Sequence, residues 1–153
     1  MLHAADELLI GAGADHATVE LEEVARCWPE SIANSRAALV YQNLAAIWSN
    51  FAAVGASRLL LAGLVEQRSE LRLVSEAVPG AAVTVVRLRA SPSVLEERIR
   101  LREPSSPETE IEGARWWTEC LDRTRPEDHL VETDDRSVGD IAREVLRLAS
   151  WLT

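Results

Sequence analysis

The chain has 153 residues, of which 47% are hydrophobic and 27% are charged. We expect one globular domain over residues 1–153, because this is enough material for a sizeable core. The 25 acidic residues outnumber the 16 arginines, lysine is absent, and the net charge is −9. That balance argues against a nucleic-acid partner, which needs a basic face. No run approaches the roughly 20 apolar residues of a membrane span, and no export signal is recognisable, so we expect a cytoplasmic protein without a membrane partner.

Helices and strands alternate along the sequence. We predict helices at residues 2–10, 35–54, 67–77, 92–102, 113–123 and from 138 onward, with one further helical turn at 22–27. We predict strands at residues 17–21, 58–65, 82–88 and 129–133. The continuous apolar run at 58–65 indicates a strand that is covered on both faces, as in a parallel sheet. Ser91 with Pro92, and Ser137 with Asp140, provide helix starts.

This alternation predicts an α/β fold, a layered sandwich with a short parallel sheet of about four strands. Ligands of such sheets lie at the carboxyl ends of the strands. Those ends supply Glu20 and Glu22, Glu66, Arg89 to Ser91, and Thr133 to Asp135.

Arginines at 98, 100 and 102 lie at the end of the helix that follows the third strand. Arg98 and Arg102 share one helical face, so both could contact an anionic ligand such as phosphate. Glu96, Glu97 and Glu103 are close enough in sequence to pair with them instead, as in an ordinary surface salt-bridge ladder.

Four segments resemble one family when they are taken together. They are the acid pair in Val19–Glu22, the apolar strand ending in Gly63–Glu66, the arginine-rich Glu97–Glu103, and the closing strand and loop Val131–Val138. They are similar to the small-molecule kinases of the P-loop fold, such as shikimate, gluconate and adenylylsulfate kinases. The resemblance implies a three-layer sandwich and an ATP-dependent phosphotransferase that uses Mg²⁺ and acts on a small-molecule acceptor.

The resemblance also implies roles for individual residues. Glu22 would accept the acceptor's proton, and Glu20 and Glu66 would hold Mg²⁺ through water. Arg98 and Arg102, in a lid at about 98–115, would contact the phosphoryl group. The acceptor side would comprise Arg26, Trp28, Asn43, Glu66 and Arg89, and the nucleotide side Arg98, Thr133, Asp134 and Arg136. Ordinary structural roles remain open: a solvated acidic strand end for Glu20 and Glu22, a helix N-terminal acid for Glu66, and a packing wedge for Trp28.

The chain lacks the family's first strand and its G-x-x-x-x-G-K-[ST] loop, and residues 1–9 resemble the helix that follows them. We therefore expect an N-terminally truncated fold that is inactive or incomplete as a kinase. The alternatives are a non-catalytic small-ligand-binding or regulatory domain, and a subunit that a partner strand completes. In the family the missing strand lies between the strands at 58–65 and 82–88. These two strands should therefore pair directly or keep unpaired edges, through which a homodimer could form.

Overall fold

The structure, a computed structural model, describes residues 1–28 and 36–152. Its helices are α1 (Leu2–Gly11), α2 (Arg36–Ala53), α3 (Leu71–Ala77), α4 (Pro92–Arg102), α5 (Pro107–Thr124) and α6 (Val138–Leu148). Its strands are β1 (Ala17–Glu20), β2 (Leu59–Ala62), β3 (Val86–Arg89) and β4 (His129–Glu132). Short 3₁₀ helices cover Glu23–Ala25 and Arg68–Glu70. The predicted α/β alternation is confirmed.

The four strands form two separate parallel pairs. In one pair Ala17 of β1 lies opposite Leu59 of β2, and in the other Val86 of β3 lies opposite His129 of β4. Within the described residues no ladder joins β2 to β3. The strand number and direction agree with the prediction, but the single sheet is replaced by two half-sheets, and the direct pairing of β2 with β3 does not occur.

Helices cover both faces of β2, because its side chains alternate between the two sides. Leu59 and Leu61 pack on a buried cluster that includes Leu44 of α2 and Ala77 of α3. Leu60 packs on the opposite side, against a cluster formed by α1 and α6. This arrangement is the expected three-layer sandwich.

The last helix, α6, contacts both half-sheets. Its Ala142 and Leu146 belong to the cluster that receives Leu60 of β2. Its Ile141 and Val145 pack on Val131 of β4. Residues one position apart on a helix face different directions, so α6 uses two neighbouring stripes to join the halves of the molecule.

A cavity of about 880 Å³ separates β2 from β3, and we call it the slot. Backbone and side chains of 57–65 form one side of the slot, and those of 79–88 form the other. Apolar residues of α3 and α6 also line it, among them Val74 and Leu146.

Both strands beside the slot are shorter than predicted. β2 covers Leu59–Ala62 instead of 58–65, and β3 covers Val86–Arg89 instead of 82–88. A strand is defined by its ladder to a neighbour, and among the described residues β2 and β3 each have a neighbour on one side only. Among the described residues, no helix is both long and apolar enough to cross a membrane.

Candidate functional site

Arg98 is anchored where β3 and β4 end. One terminal nitrogen of its guanidinium donates to the Thr133 hydroxyl at 2.9 Å, and the other donates to the Thr133 carbonyl at 2.9 Å. The buried Thr133 hydroxyl in turn donates to the carbonyl of Arg89 at 3.0 Å. A charged guanidinium is therefore held at the carboxyl edge of the second half-sheet, where an anionic ligand would lie.

Asp134 fixes the beginning of α4 to this same edge. The backbone N–H of Ser91 donates to the two carboxylate oxygens of Asp134 at 3.0 and 3.2 Å. Hydrogen bonding from the side chain and backbone of Ser91 lowers the pKa of the Asp134 carboxyl. Arg136 donates to the Glu132 carbonyl at 3.1 Å and pairs with Glu144 at 2.6 Å.

The structure thus places all four residues predicted for the nucleotide side together. Thr133, Asp134 and Arg136 follow β4 directly, and Arg98 reaches Thr133 from α4. Each of them also contacts a neighbour within the protein. Their nucleotide-binding role stays a prediction.

Arg102 lies farther out, beside a cleft of about 540 Å³ between α4 and α5. Arg98 lines the inner part of the same cleft, and Thr109, Glu110 and Trp117 of α5 line its other wall. Arg102 is 3.6 Å from the Glu103 carboxylate, an exposed contact of the kind that the salt-bridge alternative anticipates.

The lid region is more helical than predicted. Helix α5 begins at Pro107, six residues before the predicted start at 113. Proline favours the first helical position, and the acidic side chains of Glu108 and Glu110 favour the first turn, so these residues explain the early start.

Arg89, predicted to contact the acceptor, is paired with Glu132 directly across the β3–β4 ladder. Its Nε donates to Glu132 Oε1 at 2.9 Å, and this hydrogen bond raises the pKa of Arg89 above its usual range. Asp122 lies 3.8 Å from the same guanidinium. A cross-strand ion pair therefore accounts for Arg89 without a ligand.

The two acids predicted for catalysis lie at the end of the first half-sheet. Glu20 is the last residue of β1, and Glu22 lies beyond it in the following turn. Both side chains are exposed, and within the described residues neither makes an ion pair or a hydrogen bond. Their carboxylates are free to meet a ligand from solvent.

The residues predicted for the acceptor side are only partly organised. Asn43 donates to the Val24 carbonyl at 2.6 Å and so ties α2 to the turn after β1. Arg26 pairs with Glu23. Trp28 is 86% exposed, so it does not act as the packing wedge that was considered for it. The segment that follows, 29–35, lies outside the described residues.

Glu66 is engaged with its surroundings. The Cys120 thiol donates to Glu66 Oε1 at 3.8 Å, and the Glu66 backbone N–H donates to Glu70 Oε2 at 3.2 Å. No group of three or more histidine, cysteine or acidic side chains in the described part of the chain could hold a metal ion. The sequence also has no lysine, the residue that usually holds the nucleotide phosphates in phosphoryl transfer.

Comparison with known proteins bears on the fold. No protein-family model matches the chain, and no curated protein matches it significantly. A solved gluconokinase from Sinorhizobium meliloti 1021 is similar over 97% of this chain and 84% of its own, with a TM-score of 0.59 and 23% identity. The tunicamycin resistance protein of Deinococcus radiodurans is similar over 98% of this chain and 91% of its own, with a TM-score of 0.60 and 16% identity.

The chain has a P-loop kinase-like fold. Sequence reasoning identified this fold from its strand ends and its arginine-rich helix. It missed Ser91 as the partner of Asp134 and Glu132 as the partner of Arg89, because those contacts depend on the register of β3 against β4. A register between strands about 40 residues apart has no local sequence signal.

Proposed function

We propose that this domain is the part of an ATP-dependent small-molecule kinase that binds the acceptor and carries the lid. We also propose that this chain alone does not transfer phosphate. The observation that supports the first half is the Arg98 guanidinium, held by Thr133 at the carboxyl edge of the P-loop kinase-like fold. The free carboxylates of Glu20 and Glu22 supply acidic groups at the corresponding edge of the other half-sheet.

The second half of the proposal follows from the chemistry of phosphoryl transfer. That reaction depends on positioning the phosphates and neutralising their charge, usually with a lysine, a backbone cradle and Mg²⁺. Arg98 can supply part of the charge. The chain contributes no lysine, and its described acids do not gather into a metal site.

The test is calorimetric titration with millimolar ATP, with and without Mg²⁺, together with an assay for ADP release. We expect weak ATP binding and no turnover. Arg98→Ala should weaken ATP binding about tenfold, because it removes one charge-assisted contact worth roughly 1.4 kcal/mol. Arg72→Ala is the matched control, because Arg72 forms an exposed ion pair with Glu76 on α3, away from this edge. ATP hydrolysis or phosphoryl transfer by the chain alone would contradict the proposed incompleteness.

A non-catalytic small-ligand-binding domain is the second candidate. It is favoured by the exposed carboxylates of Glu20 and Glu22, which have no partner within the described part of the chain. It requires a ligand that binds without nucleotide. Gluconate, taken from the name of the similar gluconokinase, is the first probe. Binding of gluconate that Glu22→Gln abolishes, with no heat from ATP, would favour this candidate over the kinase part.

A further inference from the structure

The imidazole ring of His16 lies in the turn between α1 and β1 and is only 8% exposed. Its Nδ1 lies 2.8 Å from the carbonyl oxygen of Ala14, and its Nε2 lies 2.9 Å from Oδ1 of Asp6 on α1. A backbone carbonyl and a carboxylate only accept hydrogen bonds, whereas a neutral imidazole has a single N–H to donate. Both contacts therefore form together only when each ring nitrogen carries a proton, as in the imidazolium cation.

The charged groups around this ring favour the imidazolium form. The carboxylate of Asp6 is the direct partner, and Asp15 in the same turn adds a second negative charge. Arg58, just before β2, pairs with Asp15 at 3.1 Å and balances part of that charge. Burial lowers the pKa of His16, but the hydrogen bonds to Ala14 and Asp6 and the two negative charges together outweigh it. The pKa of His16 is therefore raised above its usual value of 6.5.

The two contacts of the ring join the middle of α1 to the turn that leads into β1. Ala5 and Leu9, on the buried face of α1, pack in a cluster with α6 and β2. The Ala14 N–H donates to the Leu9 carbonyl at 3.0 Å, so Ala14 is bonded both to α1 and to the His16 ring. When the ring gives one proton to solvent, either Ala14 or Asp6 faces a nitrogen lone pair instead of a donor.

We propose that His16, with its partners Asp6 and Ala14, is a pH-sensitive latch that holds α1 to the turn before β1. The doubly protonated ring makes both contacts, and the singly protonated ring makes one, so α1 is then held less firmly. Because the pKa of His16 is higher in the folded state, the latch stabilises the protein fully below the unfolded value of about 6.5. That stabilisation is lost as the pH rises through the folded pKa. The latch does not depend on whether the domain binds ATP.

The first test follows the side-chain nitrogens of His16 by NMR in the parent chain between pH 6 and pH 9. The chain has three histidines, so their ring signals can be assigned individually. We expect two protonated nitrogens on His16 at pH 6. We also expect the ring to lose one proton at a higher pH in the folded protein than in the same chain unfolded by urea.

The second test is hydrogen exchange at the α1 amides of Leu8 and Leu9, with each rate divided by the intrinsic exchange rate at that pH. Between pH 6 and pH 9 we expect exchange in the parent to become about three- to tenfold faster, because one hydrogen bond is lost. His16→Gln does not titrate in this range and should show no such acceleration. His3→Gln is the matched control, since it removes an exposed histidine from the same helix and should keep the acceleration.

Loss of the ring proton at the same pH as in the unfolded chain, or at a lower one, would overturn the proposal. This measurement needs no variant, so it decides the question even if His16→Gln does not fold. An acceleration in α1 that His16→Gln leaves unchanged would also overturn it. Equal acceleration at Val74 of α3 would do the same, because pH would then act on the whole fold and not on the latch.

Discussion

Arg87 is a buried arginine on β3 whose guanidinium lies 2.7 Å from Asp122 and 3.9 Å from Glu127. A buried ion pair is costly to break, because removing one partner leaves the other charge without compensation. One oxygen of Glu127 already lacks a hydrogen-bond partner. The role of Arg87 is therefore to neutralise two acids beside the slot, and this role is structural.

We expect Arg87→Ala to destabilise the protein by about 2–3 kcal/mol, less than for a fully buried pair because Asp122 is half exposed. Urea unfolding monitored by circular dichroism measures the change. The exposed pair of Arg72 with Glu76 supplies the comparison, and Arg72→Ala should cost at most about 0.5 kcal/mol. Equal losses in the two variants would show that the acids beside Arg87 are solvated.

The contacts of Asp128 predict that the stability of the protein depends on pH. The backbone N–H of Val85 donates to its carboxylate at 2.8 Å and Arg68 at 2.6 Å, and these contacts, the Val85 hydrogen bond foremost, lower the pKa of Asp128. A carboxyl whose pKa is lower in the folded state stabilises the protein above its unfolded pKa of about 4. That stabilisation is lost as the pH falls through the folded pKa.

Asp128→Asn should therefore destabilise the protein at pH 7 by about 1 kcal/mol, and the difference from the parent should shrink as the pH falls below about 4. Thermal unfolding between pH 7 and pH 3 measures it. Glu119→Gln serves as the control, since within the described residues Glu119 makes no ion pair or hydrogen bond. A deficit that stays constant down to pH 3 would mean that the charge of Asp128 contributes nothing.

At the scale of elements, α6 shows how a local signal fixes a helix. The Ser137 hydroxyl accepts from the Asp140 backbone N–H at 3.1 Å and donates to the Asp140 carboxylate at 2.6 Å, which is the predicted capping arrangement. Ser137→Ala should cost about 1 kcal/mol and lower the unfolding midpoint by about 2–4 °C. Ser49→Ala, at an exposed position inside α2, should have no such cost, and equal effects would rule out a capping contribution.

The difference between local signals and contacts that are distant in sequence explains which elements could be predicted from the sequence. α4 and α6 were predicted closely because Ser91 with Pro92, and Ser137 with Asp140, mark their first residues. The length of β2 and β3 was overestimated, because apolar runs indicate burial while the observed strand ends depend on neighbours that are distant in sequence. For the site, the family resemblance grouped Arg98 with Thr133, and the two are in contact, but the pairing of Arg89 with Glu132 required the register.

At the scale of the whole molecule, two unpaired strand edges predict self-association, as in the homodimer considered from the sequence. We expect the mass measured by light scattering to rise above 16.9 kDa with increasing protein concentration. A mass of 16.9 kDa that is independent of concentration would contradict association through the edges.

The placement of α6 also bears on synthesis of the chain. Because this helix packs on both Leu60 of β2 and Val131 of β4 among the clusters of the described core, the apolar packing shared by the two parts is complete only when the final residues have emerged. Domains otherwise begin to fold from the amino end as translation proceeds. A nascent polypeptide stopped before Ser137 would leave the ribosome as two loosely coupled pieces with exposed apolar surfaces, a form that quality-control proteases would readily remove.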